Sequence, residues 1–261
     1  MTSQRIRIDV SDGIGELILN KPERRNALSS DMWEAIPGLV KQLETDPGVM
    51  VVVLHGGTAG AFAAGADISE FETIYATPES AEHSANLISD AVTSLAKCAK
   101  PVIAAIEGAC VGGGVSLALT TDIRIAGKGS KFGVPPAKLG LVYPVDDTRR
   151  LIETVGVPAA KDMLLTGRLF DCDEAHRIGL VTHIAERGTA LQMARDTARQ
   201  IAANSLWSHG AMKRTFEAVK AGWRDDSPEA KALFLESFEN VDFQEGYSAF
   251  LEKRPAKFTW R

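Results

Sequence analysis

The chain has 261 residues, 45% hydrophobic and 24% charged, the proportions of a folded globular protein with room for one large α/β domain. Its 29 Lys and Arg against 34 Asp and Glu give a net charge of −5 with no basic cluster, which argues against a nucleic-acid partner. No apolar run approaches the roughly 20 residues that span a bilayer, and the start Met1-Thr2-Ser3-Gln4-Arg5 carries no leader pattern, so no membrane partner is expected. Cys98, Cys110 and Cys172 lie far apart, and the five histidines show no ligand spacing. The expectation is a reducing, cytoplasmic setting with no metal.

In chain order, Ile6, Ile8 and Val10 alternate, Ser11-Asp12-Gly13 is turn chemistry, and Gly15 to Leu19 runs back, so a hairpin opens the chain. Met32, Ile36, Leu39, Val40 and Leu43 predict a helix after Ser29-Ser30, kinked at Pro37 because proline lacks the backbone donor. Val49 to His55 reads as a buried strand whose terminal His55 is structural. Thr77-Pro78 caps a long helix reaching Lys97. On it His83, Asn86 and Asp90 share a face read as solvated. Val102 to Ile106 and Ile123 to Ala126 are further strands. Asp171 and Glu174 form a capping box for a short helix ended by Gly179. Beyond residue 200 only helices are expected, one from Ser227-Pro228 and one from Asp242-x-x-Glu245.

Two glycine-rich segments carry the chemical signal. Gly108 to Gly114 joins a strand to a helix, but lacks both the Lys-Ser/Thr of a phosphate loop and the third glycine of a dinucleotide fingerprint. What remains is a helix N-terminus with outward amides and no side chains to block approach, suited to a developing negative charge or simply to tight packing. Ala61 to Ile68 is a second such loop after a buried strand. One amide from each would make a two-donor oxyanion hole.

Five segments extend this reading: Asn20 to Ser29, Ala61 to Ile68, Pro101 to Gly114, Thr166 to Val181, and Gln244 to Arg254. Together they resemble, in order and spacing, the crotonase superfamily, the enoyl-CoA hydratase/isomerase family. The resemblance implies an α/β crotonase-type spiral of ββα units with a C-terminal helical trimerisation region. The expected division is a core over 1–200 and a helical oligomerisation region over 201–261. It further implies an acyl-CoA thioester partner, coenzyme A entering as part of the substrate with no other cofactor, and a homotrimer or dimer of trimers. Carried over by position, the Ala66 and Gly113 amides hold the thioester oxygen. Ala64, Asp67 and Ile68 line the path of the CoA moiety, Arg24, Arg25 and Ala27 contact it, and Phe250 and Lys253 reach a neighbouring subunit's CoA. Arg24, Arg25 and Lys253 read equally well as solvated or helix-end charges.

The chain departs from the family where proton transfer occurs. The two glutamates of a hydratase are replaced by Ser116 and by Pro136 in Phe132-Gly133-Val134-Pro135-Pro136. Neither transfers a proton unaided, so poor hydration of a simple enoyl-CoA is expected, although hydratase is the default family label. The alternative is an acyl-CoA decarboxylase or another lyase using Tyr143 or Asp146. Tyr143 matches a tyrosine of the methylmalonyl-CoA decarboxylase-like branch, which also has the proline. Asp146 and Asp147 read first as caps of the following helix and second as pocket acids. An alternative of another class is a non-catalytic acyl-CoA-binding protein. A side chain at Gly113 is expected to sit where the thioester oxygen approaches.

Overall fold

The computed structural model describes residues 5–258. Met1–Gln4 and Thr259–Arg261, the outer ends of the two expected regions, lie outside the described residues. Strands β1 (Ile6–Ser11) and β2 (Ile14–Leu19) form the opening hairpin. Helix α1 (Ser30–Thr45) turns Met32, Trp33, Ile36, Leu39, Val40 and Leu43 inward. The helix runs on through Pro37, its apolar face packed against the sheet and the long helix α3.

Next come β3 (Val51–His55), the one-turn helix α2 (Phe71–Ile74), α3 (Pro78–Ala96) and β4 (Val102–Ile106). Thr77 caps α3 in a reciprocal box with Ser80. Then β5 (Ala109–Val111), α4 (Gly113–Leu119), β6 (Ile123–Gly127), β7 (Lys131–Gly133) and α5 (Val145–Thr166) follow. Helix α5 breaks at Gly156, whose φ of 75° leaves helical space two residues before Pro158. The remaining elements are β8 (Phe170–Asp171), α6 (Cys172–Arg177), β9 (His183–Ala185) and α7 (Ala190–Ala202). The tail is helical: α8 (Leu206–Lys220), α9 (Pro228–Glu239) and α10 (Val241–Glu252).

The main sheet has the order β1-β2-β3-β4-β6-β9, parallel from β2 onward. A second sheet, β5-β7-β8, stands beside it. It explains why the Gly108–Gly114 segment is partly strand rather than all turn: Cys110 pairs with Phe132. Two windings of the chain, β4-β5-α4 and β6-β7-α5, thus lay one strand in each sheet before a helix. One core fills the space between the main sheet, α1, α3, α4 and the small sheet, while a second joins the opposite face to α7.

Buried polar groups brace this frame. Glu16 on β2 takes a bond from Arg195 Nε at 2.6 Å and contacts His55 Nε2 at 3.2 Å, while His55 Nδ1 accepts from Gly57 N. These partners hold the Glu16 carboxyl at about 2 against the cost of its burial. His55 is structural, as expected. The cap of α10 differs from expectation: Asn240, not Asp242, accepts from the Asp242 amide, and the Asp242 carboxylate takes the Ser205 hydroxyl at 2.6 Å, tying α10 to α8. The Asp171 side chain caps α6 through the Glu174 amide, but the Glu174 carboxylate binds Arg168 instead of completing the box.

Candidate active site

The Ala61–Ile68 loop is shaped from a distance. Asn26 Nδ2 donates to the carbonyls of Gly56, Ala61 and Phe62 at 2.9, 3.0 and 3.1 Å, and its Oδ1 accepts from Lys21 N. Leu28 N donates to Gly65 O at 2.7 Å and Asp67 N to Leu28 O at 2.9 Å. In such a parallel bridge the middle residue's amide points away from its partner strand, so the Ala66 N–H is turned off this ladder. At the far end, Lys21 Nζ meets Asp67 Oδ2 at 2.5 Å, both buried. Lys21 and Ser69 hold the Asp67 carboxyl at about 2.

The second loop is pinned to the first by backbone. Ala63 N donates to Ala109 O and Val111 N to Ala63 O, at 2.9 and 3.0 Å. Gly112 N extends the ladder to Gly133 O at 2.9 Å. Gly112 has φ 52° and ψ −114°, a conformation open to glycine and costly for a side chain. Gly113 is then the first residue of α4, where amides have no intrahelical acceptor. Among the described residues no hydrogen bond engages the Ala66 or Gly113 N–H. Both residues line one cavity of about 830 Å³.

A Cβ on Gly113 would meet Trp33 Cζ2 at 2.9 Å and Leu28 Cδ1 at 3.2 Å. A side chain here therefore presses on Trp33 of α1 and on Leu28 just before that helix. Trp33, which the sequence analysis does not single out, forms a cavity wall with Phe71, Tyr75, Ile88, Val92 and Leu141.

One polar cluster interrupts that apolar lining. Ser116 Oγ lies 2.8 Å from the Tyr143 hydroxyl, both buried. Burial and the nearby Asp147 push the Tyr143 hydroxyl well above its ordinary range, so it stays protonated. Asp147 Oδ1 is 3.3 Å from Arg150 Nη1. Burial raises the Asp147 carboxyl pKa, opposed by Ser116 and Arg150. Asp146, the acid favoured from sequence, sits at the cavity rim with its side chain 63% exposed toward Arg149. Neither acid caps α5, since Pro144 holds that position; both lie in its first turn.

The other sequence candidates scatter. Ala64, Ile68, Pro136 and Asn86 line the cavity, whereas His83 and Asp90 are exposed and off its wall. The Asp67 side chain is spent on Lys21 and Ser69. Arg24 and Arg25 are exposed on the turn beside the first loop, where Arg25 O accepts from Ala64 N at 3.1 Å, and Ala27 is half-buried. Phe250, 82% exposed, and Lys253, at the left-handed end of α10, do not line the cavity of their own chain.

The family model for enoyl-CoA hydratase/isomerase matches residues 9–261. The chain belongs to the enoyl-CoA hydratase/isomerase family. A crystal structure of a protein described as an enoyl-CoA hydratase/isomerase family member from Hyphomonas neptunium is 58% identical, with a TM-score of 0.97 over 100% of this chain and 99% of the other. The short-chain-enoyl-CoA hydratase of Clostridium acetobutylicum is 33% identical over 258 residues, 97% of each chain. The mitochondrial enoyl-CoA hydratase of Pongo abelii is 35% identical over 254 residues, 94% of this chain and 83% of the relative. The fold is accordingly the crotonase fold, with the C-terminal helices in place. Within this family frame, the cavity holds an amide pair but no glutamate at the positions of Ser116 and Pro136.

Proposed function

We propose that this protein binds an acyl-CoA thioester in the 830 Å³ cavity and turns it over through an enolate held by the Ala66 and Gly113 amides. The observation that carries this reading is the pair of interlocked loops whose two unengaged amides border one apolar cavity. Such preorganised donors stabilise the charge that develops on a thioester oxygen. Coenzyme A enters as part of the substrate, and no further cofactor belongs to the reading.

Within the family, lyase chemistry fits this cavity better than glutamate-assisted hydration. Decarboxylation is the lyase step that suits a site without glutamates. The bond to the carboxylate breaks, CO₂ leaves, and the electron pair stays on Cα and spreads onto the thioester oxygen. No base is needed to start the step. The Tyr143 hydroxyl, kept protonated by burial, is a proton donor for Cα once the enolate has formed. Hydration, the activity in the relatives' names, needs a group that activates water, and Ser116 and Pro136 are not such groups.

Exposed Phe216, Phe234, Leu235, Tyr247 and Phe250 on the tail helices support assembly as a homotrimer or dimer of trimers, since such a surface is covered in stable proteins. Sedimentation at micromolar concentration is expected to give trimers or hexamers, and a clean monomer removes the role assigned to Phe250 and Lys253. Among the described residues no helix is long and apolar enough to cross a membrane, and a cytoplasmic setting goes with this reading.

The test is a mass-spectrometric panel of crotonyl-, malonyl-, methylmalonyl- and hydroxyacyl-CoA. Loss of CO₂ from a malonyl-type thioester with slow crotonyl-CoA hydration is the expected result. Fast hydration by the unaltered protein overturns the lyase reading. Tight binding of the whole panel without turnover points to an acyl-CoA-binding protein instead.

A further inference from the structure

Helix α5 forms two ion pairs of identical spacing, and they differ in one respect. Asp146 with Arg149 and Asp147 with Arg150 are both three residues apart and both 3.3 Å long. The first is solvent-exposed, as such pairs ordinarily are. The second buries its carboxylate, with Asp147 only 3% exposed, beside Ser116 and Tyr143 on the cavity wall. Pairing with an arginine along the helix does not require that burial, because Asp146 achieves it in water.

The hydroxyls give the buried acid a direction. Ser116 has one proton, and its hydrogen bonding favours the ionised form of Asp147. With that proton aimed at Asp147, the Ser116 oxygen is left to accept from Tyr143 at 2.8 Å. A file from Tyr143 through Ser116 to the carboxylate is thus available on one cavity wall, its Tyr143–Ser116 step already hydrogen-bonded.

We propose that Asp147 is the proton store of the active site, exchanging a proton with Cα of the bound thioester along the Tyr143 and Ser116 hydroxyls. This rests on the enolate reading above. In the direction of enolate formation, the Cα–H bond breaks and its electron pair moves into the enolate, leaving negative charge on the thioester oxygen between Ala66 and Gly113. Tyr143 accepts the proton as its own passes to Ser116, and the Ser116 proton passes to Asp147. The carboxylate loses its charge as the enolate gains one. The reverse passage protonates an enolate formed by loss of CO₂.

The charged and titratable groups around Asp147 are Arg150 and Asp146 on its own helix, Tyr143 before it, and the Cys110 thiol beside Tyr143 on β5. Burial pushes that thiol up, so it stays protonated and neutral. Burial and Asp146 move the Asp147 carboxyl above the usual carboxylate range, towards the pH at which it would work.

The experiment follows deuterium entry at Cα of butyryl-CoA in D₂O by mass spectrometry across pD. This saturated thioester has no double bond to hydrate and no carboxylate to lose. The wild type is expected to exchange with a rate governed by one ionisation. Asp147→Asn, which keeps the shape and the Arg150 contact, is expected to slow exchange by about 100-fold or more and to flatten the pD profile, with thioester affinity unchanged. Ser116→Ala, which interrupts the file but leaves the ion pair, is expected to slow exchange as well, and serves if the Asn variant does not fold. Wild-type exchange with an unaltered rate and profile in either folded variant overturns the role of Asp147 and leaves the enolate reading standing. Binding without any wild-type exchange overturns this inference, while the enolate reading is judged separately by loss of CO₂ from a malonyl-type thioester.

Discussion

The two loops that each bring one unengaged amide to the cavity share a main-chain ladder and differ in what else holds them. The Gly108–Gly114 segment is held by main chain: β5 lies between Ala63 and β7, and the donor at Gly113 is a by-product of starting a helix. The Ala61–Ile68 loop shares main-chain bonds with Arg25, Leu28 and β5 but forms no strand or helix around Ala66, and side chains from the Asn20–Ser29 segment add to its hold, through the Asn26 amide and the Lys21–Asp67 pair. A donor at a helix N-terminus needs only the helix. A donor in irregular chain needs a clamp from elsewhere, and this one is buried and polar, which makes it costly to disturb.

The strongest way to break the contrast is Asn26→Ala. It strips the Asn26 side chain from the carbonyls of Ala61 and Phe62, from Gly56 O, which keeps the Ala59 amide, and from the Lys21 amide, and it puts alanine at a φ of 56°. A loss of about 5 kcal/mol is expected from urea unfolding, at 1–3 kcal/mol for each stranded group with some relaxation. A loss below about 1 kcal/mol would mean that the loop holds itself. Lys21→Met comes next, at about 3 kcal/mol, because Asp67 is left buried and unpaired. Adding Asp67→Leu should recover most of that, since the stranded charge and not the missing attraction carries the cost. No recovery in the double variant would contradict this account.

On the other loop, Gly113→Val should cost turnover more than stability. The new side chain presses on Trp33 and displaces the amide. The expected loss of rate is about 10²–10³-fold, or 2.7–4 kcal/mol in the transition state, against an overpacking cost of about 1–3 kcal/mol. Adding Trp33→Ala to Gly113→Val should return part of the rate, and an unchanged rate would place the obstruction elsewhere. The mildest probe is acid. The Asp67 carboxyl, lowered from 3.8 to about 2 in the fold, stabilises the folded state above its unfolded value and ceases to do so as pH falls through about 2. Amides of the Ala61–Ile68 loop should therefore lose hydrogen-exchange protection between these values before those of β5 do. Simultaneous loss would erase the distinction between the loops.

Much of the frame was legible in the chain, for reasons visible at single residues. Thr77-Pro78 and Ser227-Pro228 mark helix starts by chemistry that acts within one turn. Both glycine loops announce themselves by the lack of side chains. The small sheet did not, because strands of two or three residues are too short to show a period. Asp67 was read as a ligand-path residue from its place in the motif; its carboxylate instead turns back to a lysine 46 positions earlier, a distance no local pattern reports. Asp146 and Asp147 are the same residue type side by side. Which one faces inward depends on the rotation of α5, and about 100° separates neighbours on a helix. Pro144 sets that start, and a two-residue error in it exchanges inside for outside.

Trp33 gives the molecule a signal that can be read without labelling. Its indole is buried, touches the space above Gly113 and forms part of the cavity wall, whereas Trp207 and Trp223 lie in the tail around the groove between α8 and α9. Filling the cavity exchanges the water beside one indole for a thioester and its acyl chain, and leaves the tail indoles as they were. On the proposed reading, emission from Trp33 titrates with ligand, and that from Trp207 and Trp223 with assembly of the tail helices. A variant that keeps tryptophan at position 33 alone reads occupancy without any signal from the tail.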